Sequence, residues 1–580
     1  MRTDKQSSRR EVIFPQPLEH KCTKGTYTDL LARGSTQSVN MISGAVICLV
    51  TFFAYIAWRN TRRYTLKDIQ GPPSHSFWLG SEKVHRHAKQ VGELEFQWAR
   101  EYGLTWMVKG CLGEEVLWTA DPRALQYVFH TSGYRFSKRT VATETTRLFT
   151  GESILTAEAV DHQRHRKIMN PAFGAAQLRT FLPVFRRSAA RLSQKWKDMI
   201  QLGENSDGCT MNVSETLSRM TLDVIGEVAF DHRFGVLNDN GVDNELVQAF
   251  NNLFIDTLLN PSSWDLIFKS TWRFFPGPVL RCLKYLPYKE YRRFSTYLQT
   301  AIQTGNTIIN EKAASTEKGS KDIISILVQS NHMEDARAQL SEREILSQIA
   351  TLLVAGHDTT ASSLTWLLYE LSKHPEDQRR IRDEIKTARL NVEARGDDDL
   401  LPSDFNNMDF TNAVIKEGLR LHPIVPTLVR EADSDDVIPL SQPIKTRSGK
   451  IINEIAISKG QGITASICTY NRLQSIWGED ADEWNPNRFL DNGREKSSLG
   501  VFANLPALRM TFSAGLRACI GWRFAVLEMQ AVLVELVENF EYRFPEGVEI
   551  IRLNAGLMAP MVEGKMHEGV QMPLEVSIIA

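Results

Sequence analysis

The chain is 580 residues long, with 68 basic and 69 acidic side chains, a formal charge of -1 and 42% hydrophobic residues. That length is ample for a large buried core, and the balanced charge gives no overall basic field of the kind a nucleic-acid binder needs. Seven cysteines without short paired spacings exclude a disulfide framework and a cysteine-rich zinc site, and they point to a reducing compartment.

Residues 1–37 are polar, of mixed charge and without hydrophobic period, so they read as a disordered extension. Residues 38–58 form the anchor: within them 41–58 is an uncharged run, about 27 Å long as a helix and so able to span the hydrocarbon of a bilayer. Arg59, Arg62, Arg63 and Lys67 follow it, against Arg33 upstream, which puts the remainder of the chain in the cytosol. Residues 59–78 are a basic linker stiffened at Gly71, Pro72 and Pro73, and 79–580 form one large domain.

Inside that domain the spacing predicts a helix ending at Gly103, two short strands over 106–120, and a further helix opened by Asp121 and Pro122. His162 and Arg166 stand at i, i+4 on one helical face, a spacing that lets two donors reach one pair of carboxylates. Residues 174–330 read as successive amphipathic helices, and Asn212-Val-Ser is a short glycosylation pattern that would stay unmodified on a cytosolic face. Ser341 and Glu344 form a capping box for a long helix that runs to Pro375. Gly356, Asp358 and Thr359 interrupt its apolar middle, and an acid beside a hydroxyl is costly there unless it is used.

Glu417 and Arg420 lie at i, i+3 on another helix, and Arg430 follows on a strand. In the segment 512–521, Phe512, Gly515 and Arg517 precede Cys519, and Gly521 leads into an apolar helix whose N-terminus favours a thiolate. Arg509, Arg517, Arg523, Arg164 and Lys167 could form a basic patch near the cysteine, and residues 556–576 read as a hairpin.

The run F-x-x-G-x-R-x-C-x-G over 512–521, the sequence AGHDTT over 355–360, E-x-x-R followed by L-H-P at Glu417, and His-x-x-x-Arg at His162 resemble the cytochrome P450 family of heme-thiolate monooxygenases. The resemblance implies a mainly α fold with small β-sheets, here preceded by one N-terminal transmembrane helix. It implies heme b (iron protoporphyrin IX) with Cys519 as the axial thiolate to iron, and Arg517, His162, Arg166 and Arg430 as further cofactor-binding residues, on the propionates. Asp358 and Thr359 would be catalytic, handling protons on the oxygen side, where a bulge in the long helix is expected. Glu417, Arg420 and Arg488 would hold the heme-binding core in shape, although Asn487 stands where the family usually has glutamate before that last arginine. Leu557 to Pro560 would touch the substrate pocket.

On the same basis the activity is insertion of one oxygen atom from O₂ into a hydrophobic small molecule, by hydroxylation or epoxidation. Electrons would come from NADPH through a flavoprotein reductase docked on the basic patch, at the endoplasmic reticulum membrane. The wording of the motifs resembles fungal members that tailor terpenoids or other secondary metabolites. A fatty-acid or xenobiotic hydroxylase is the alternative within the class. A reductase-independent isomerase, or a non-catalytic membrane heme protein, has no need of the Asp358 and Thr359 pair.

Overall fold

The computed structural model describes Thr51 and residues 66–203, 208–237, 245–250, 253–314, 322–490 and 510–579. The expected extension, the anchor over 41–58 apart from Thr51, and Arg509 lie outside the described residues, and among the described residues no helix is long and apolar enough to cross a membrane. Packing is already established at Leu66, inside the expected linker: Leu66 is buried and donates its N–H to Glu115, while Arg447 grips the carbonyls of Ile69 and Gly71.

The fold is mainly helical, and the long helix Glu342–Lys373 runs through its core. It begins as the capping box requires: the Ser341 hydroxyl accepts from the Glu344 N–H (3.3 Å) and the Glu344 carboxylate accepts from the Ser341 N–H (2.8 Å). It stops at His374 because Pro375 starts the next helix. The expected bulge is absent, since every residue from Glu342 to Lys373 is α-helical. Gly356 serves packing instead: a Cβ there would lie 2.6 Å from Ile225 Cδ1, so the missing side chain lets the helix Val213–Phe230 approach closely.

The helix Trp522–Asn539, which follows the cysteine, packs on Ala175–Gln201. Phe524 makes edge-on contacts with Phe181 and Phe185, with ring centroids 6.2 and 4.9 Å apart, and burying each such ring stabilises by about 1.5–3 kcal/mol.

A five-stranded sheet lies beside the helices in the order Thr105–Lys109, Glu115–Thr119, Gly462–Ser466, Thr427–Ala432, Phe136–Ser137. All its neighbours are antiparallel except the second and third. The elements leading into it match expectation: helix Glu93–Tyr102 stops at Gly103, whose φ of 87° suits glycine, and Asp121 caps the next helix by accepting from the N–H groups of Arg123 and Ala124, each at 2.9 Å.

The C-terminus departs from the sequence reading. The hairpin is formed by Ile550–Asn554 and Met558–Val562, whereas Pro573–Ile578 joins a separate sheet between Gly208–Asn212 and Phe540–Arg543. Alternating burial alone does not reveal which neighbour a strand chooses. Asn212, within that sheet, accepts from the Met572 N–H at 3.0 Å and so has a structural use.

The expected ion triad is present and fully buried. Glu417 accepts from Arg420 Nε and Nη2 at 2.7 Å each and from Arg488 Nε at 3.0 Å. Arg420 also donates to the carbonyls of Asn471, Ala481 and Glu483, and Arg488 pairs with Asp480. Asp480 therefore balances the second cation. Asn487, in the place of the usual glutamate, accepts from exposed Arg380 (3.0 Å) and stays outside the cluster.

Candidate functional site

The cysteine segment is shaped by two backbone constraints. Gly515 has φ +66°, and a Cβ on it would meet the Phe129 carbonyl oxygen at 2.0 Å, so the loop can pass this point only as glycine. The Cys519 N–H donates to the Phe512 carbonyl at 2.8 Å, which closes the loop just ahead of the helix. Cys519 is accessible on one side yet set deep enough that burial raises its thiol pKa. The Gly521 N–H and Arg166 pull the other way but do not win. The Gly521 N–H at the helix N-terminus does favour the thiolate, as the sequence led one to expect, but in the protein chain alone desolvation outweighs it.

Arg166 reaches this segment and donates to the Ala518 carbonyl, and its charge is the one acting on Cys519. One turn earlier His162 is buried and shares a 2.8 Å hydrogen bond with the Tyr134 hydroxyl. Arg517 donates to the Ala157 carbonyl (3.0 Å), pairs with Glu158, and lies over the Tyr134 ring. Arg430 is buried on its strand with its guanidinium 4.7 Å from the Phe129 ring centre, and burial with the nearby Arg517 lowers it to about 10. Lys138, which the sequence did not single out, completes the group: burial, Arg430 and Arg517 lower it to about 7.

The structure therefore brings Cys519, Arg517, His162, Arg166 and Arg430 into one region. Three basic side chains, Arg517, Arg430 and Lys138, act on one carboxylate, Glu158, while Arg166 acts on Cys519 and Tyr134. Burial, with Arg517, Lys138 and Arg166, pushes His162 down to about 3, so it is neutral across the physiological range.

Asp358 and Thr359 stand apart, in the middle of the long helix, and no hydrogen bond links them to the cationic group among the described residues. The Thr359 hydroxyl donates to the Ala355 carbonyl at 2.9 Å. Ala355 is exposed and Asp358 and Thr359 are partly so, although the flanking turns of the helix are buried. Asp358 is surrounded closely enough that burial raises its carboxyl pKa.

The two regions are fastened together by the opposite face of helix Ala159–Met169. Arg164 and His165 both bind Glu344, at 2.6 and 3.1 Å, and the Gln348 amide meets His165 Nδ1 at 3.1 Å. Arg164 is engaged with Glu344 and Asp161, Arg517 with Glu158, and Lys167 with Glu334 (2.7 Å), while Arg523 lies over the Trp522 ring.

Lys138, Tyr134, Glu158 and Asp480 are the residues that the sequence reading missed. Only Glu158 left a trace, standing four and eight residues before His162 and Arg166 on the same helical period.

The sequence profile described as Cytochrome P450 matches residues 69–566. The chain is 33% identical to Cytochrome P450 monooxygenase 205 of Postia placenta over 88% of this chain and 92% of that protein. It is 29% identical to Cytochrome P450 monooxygenase claU of Ampulloclitocybe clavipes (89% and 93%), and 31% identical to a ganoderic acid synthetase of Ganoderma lucidum (87% and 93%).

Proposed function

The chain belongs to the cytochrome P450 family, and from that premise we propose that it hydroxylates or epoxidises a hydrophobic small molecule in the tailoring of a terpenoid or other secondary metabolite. It is an oxidoreductase of the monooxygenase class, and the family implies heme and electrons from a redox partner. That one relative is named for ganoderic acid supports a secondary-metabolite substrate.

The observation that carries the reading is the surplus of buried positive charge beside accessible Cys519. Isolated buried cations are costly, and a planar ligand bearing two carboxylates fits them. Lys138, Arg166, Arg430 and Arg517 would hold the heme propionates, His162 and Tyr134 would orient on them, and Cys519 would ligate the iron. When bound, heme supplies the oxidant, generated from O₂ with two electrons. Arg166, whose charge already acts on Cys519, would stabilise the thiolate form of that side chain. On the long helix, the Asp358 carboxyl would hold a proton that burial helps it keep, and the Thr359 hydroxyl would pass protons on from the accessible side.

NADPH through a flavoprotein reductase is the electron source we favour, with the endoplasmic reticulum membrane as location. The uncharged run over 41–58 supports the anchor. So do the exposed aromatics Phe77, Trp78, Trp264 and Tyr285, which are 84, 59, 80 and 76% exposed. His87 binds the Pro261 carbonyl (3.1 Å), which brings the chain that follows Trp78 beside the chain that precedes Trp264.

The test is expression in microsomes with a reductase, NADPH and a panel of terpenoid and other apolar candidates. It scores oxygenated product together with the red-shifted Soret band of the reduced carbon monoxide complex. Cys519→Ser should abolish that band, and its survival would refute the assignment of the ligand.

A further inference from the structure

A cleft of about 350 Å³ lies where the end of helix Asp409–Leu421, the segment after the short helix Ile467–Tyr470 and the hairpin strand Ile550–Asn554 meet. None of its lining residues belongs to the site described above. Its walls carry two guanidinium groups, Arg472 and Arg552, together with His422, Glu370 and the Trp484 ring.

Arg472 is largely buried, with 11% of its side chain exposed, yet it is poorly matched by negative charge. Nη2 donates to the Leu421 carbonyl at 3.1 Å, and the guanidinium lies 5.3 Å from the Phe96 ring centre. Nη1 reaches the Asp482 carbonyl at 3.3 Å but the Asp482 carboxylate only at 3.4 Å, and that carboxylate is 67% exposed, so the pair is weak. Arg552 donates its backbone N–H to Gln90 Oε1 at 3.1 Å, while its guanidinium has no hydrogen-bond or ion-pair partner among the described residues.

The two cations act on the same space. Burial and then Arg552 lower the Arg472 pKa by more than Asp482 raises it, which marks a positive charge that the protein leaves uncompensated. Both arginines also act on His422, which burial holds at about 4 although Glu370 accepts from it at 2.6 Å. The carboxylates of the cleft do not answer this charge: Glu370 is engaged with His422, and Asp482 and Glu483 are exposed. Two neighbouring guanidinium groups, each with paired N–H donors in one plane, match an oxyanion that offers several oxygens at once. The cleft also has a flat wall, the Trp484 ring, which stacks on His374 with centroids 5.9 Å apart.

We propose that this cleft binds a small molecule through a phosphate group gripped between Arg472 and Arg552. Arg552 stands in register opposite Pro560, and the Met558 N–H of the same hairpin donates to the Ile424 carbonyl at 2.8 Å. A phosphate held by both arginines therefore ties the hairpin to the segment after Tyr470, and its binding is expected to steady residues 550–562.

The full-length heme-loaded protein in detergent is titrated calorimetrically with inorganic phosphate, with sodium chloride at equal ionic strength, and with adenosine 5′-monophosphate. Saturable heat is expected with phosphate and not with chloride. Arg552→Gln should weaken phosphate binding by about tenfold or more, the loss of a charged hydrogen-bonding partner, and Arg552→Lys, which keeps the charge without the paired donors, should restore part of it. The Arg552 guanidinium holds no other group in place, so the carbon monoxide band should stay intact in both variants as proof of folding. Amide hydrogen exchange over 550–562 should slow with phosphate in the native protein and not in Arg552→Gln. Nucleotide binding no tighter than phosphate means that the phosphate alone is read, whereas tighter binding means that the Trp484 wall is used as well; both uphold the site. Phosphate heats indistinguishable from those of chloride, or an affinity unchanged in Arg552→Gln, overturn it.

Discussion

Replacing Glu417 by alanine removes an acceptor that holds Arg420 twice, Arg488 once and the Asn485 N–H at 2.9 Å, all at a position with no solvent access. Two buried guanidinium groups would then be left with Asp480, which pairs with Arg488, also accepts from the Asn485 amide, and is itself 31% exposed. Breaking a buried pair in this way costs about 3–5 kcal/mol, a large part of a typical total of about 5–15 kcal/mol. The folding equilibrium should therefore fall by roughly two to four powers of ten. Glu417→Gln keeps the shape and most of the acceptor geometry but loses the charge, and should lie between the two. Denaturant midpoints together with heme content per mole of protein measure the effect. An alanine variant with full heme content and an unmoved midpoint would refute the reasoning, because it would mean that the arginines are satisfied by the carbonyls of Asn471, Ala481 and Glu483 without the carboxylate.

Gly515→Ala should prevent the cysteine segment from closing, because its Cβ would sit 2.0 Å from a backbone oxygen that cannot step aside, and heme content reports it directly. Lys138→Gln removes one of four cations from the site and should weaken heme retention severalfold in transfer to an apo-globin acceptor, while leaving the red shift of the carbon monoxide band in place. For heme-free protein, His162 is held at about 3 against an ordinary 6.5, so the unfolded state binds the extra proton. Stability should accordingly rise with pH between about 3 and 6.5 and be lost on acidification, by at most about 1.4 kcal/mol per pH unit from this residue. Urea titrations of the native protein and His162→Asn should differ in that slope and converge above pH 7. Thr359→Ala should still bind heme and carbon monoxide but release peroxide at the expense of product; unchanged coupling of NADPH to product would remove threonine from the proposed role.

The elements with strong local signals were readable from the residues themselves. Asp121 with Pro122, Gly103, and the Ser341 and Glu344 box end or begin helices through contacts within a few residues, and each stands where the sequence put it. The site was legible in its motif-bearing members, since His162, Arg166, Arg430 and Arg517 do gather near Cys519. Lys138 escaped because nothing in its neighbourhood on the chain marks it; its significance comes from Arg430 and Arg517, hundreds of residues away. The misplaced hairpin and the pairing of Arg164 share that cause. Strand partners and ion pairs are chosen across long loops, and Arg164 gave no hint that Glu344 would claim it.

The knot at Glu344 sets a boundary for engineering. One carboxylate caps the long helix, fixes Arg164 and binds His165, and although burial opposes it, the bonds from Arg164 and Ser341 hold its pKa near 2. The residues between these two helices, roughly 174–330, include those expected to shape the substrate roof. A chimera that imports this roof from a relative should keep Arg164, His165, Glu344 and Gln348 from a single parent. Crossovers placed inside the knot would disturb the heme grip even when every imported residue lies far from it.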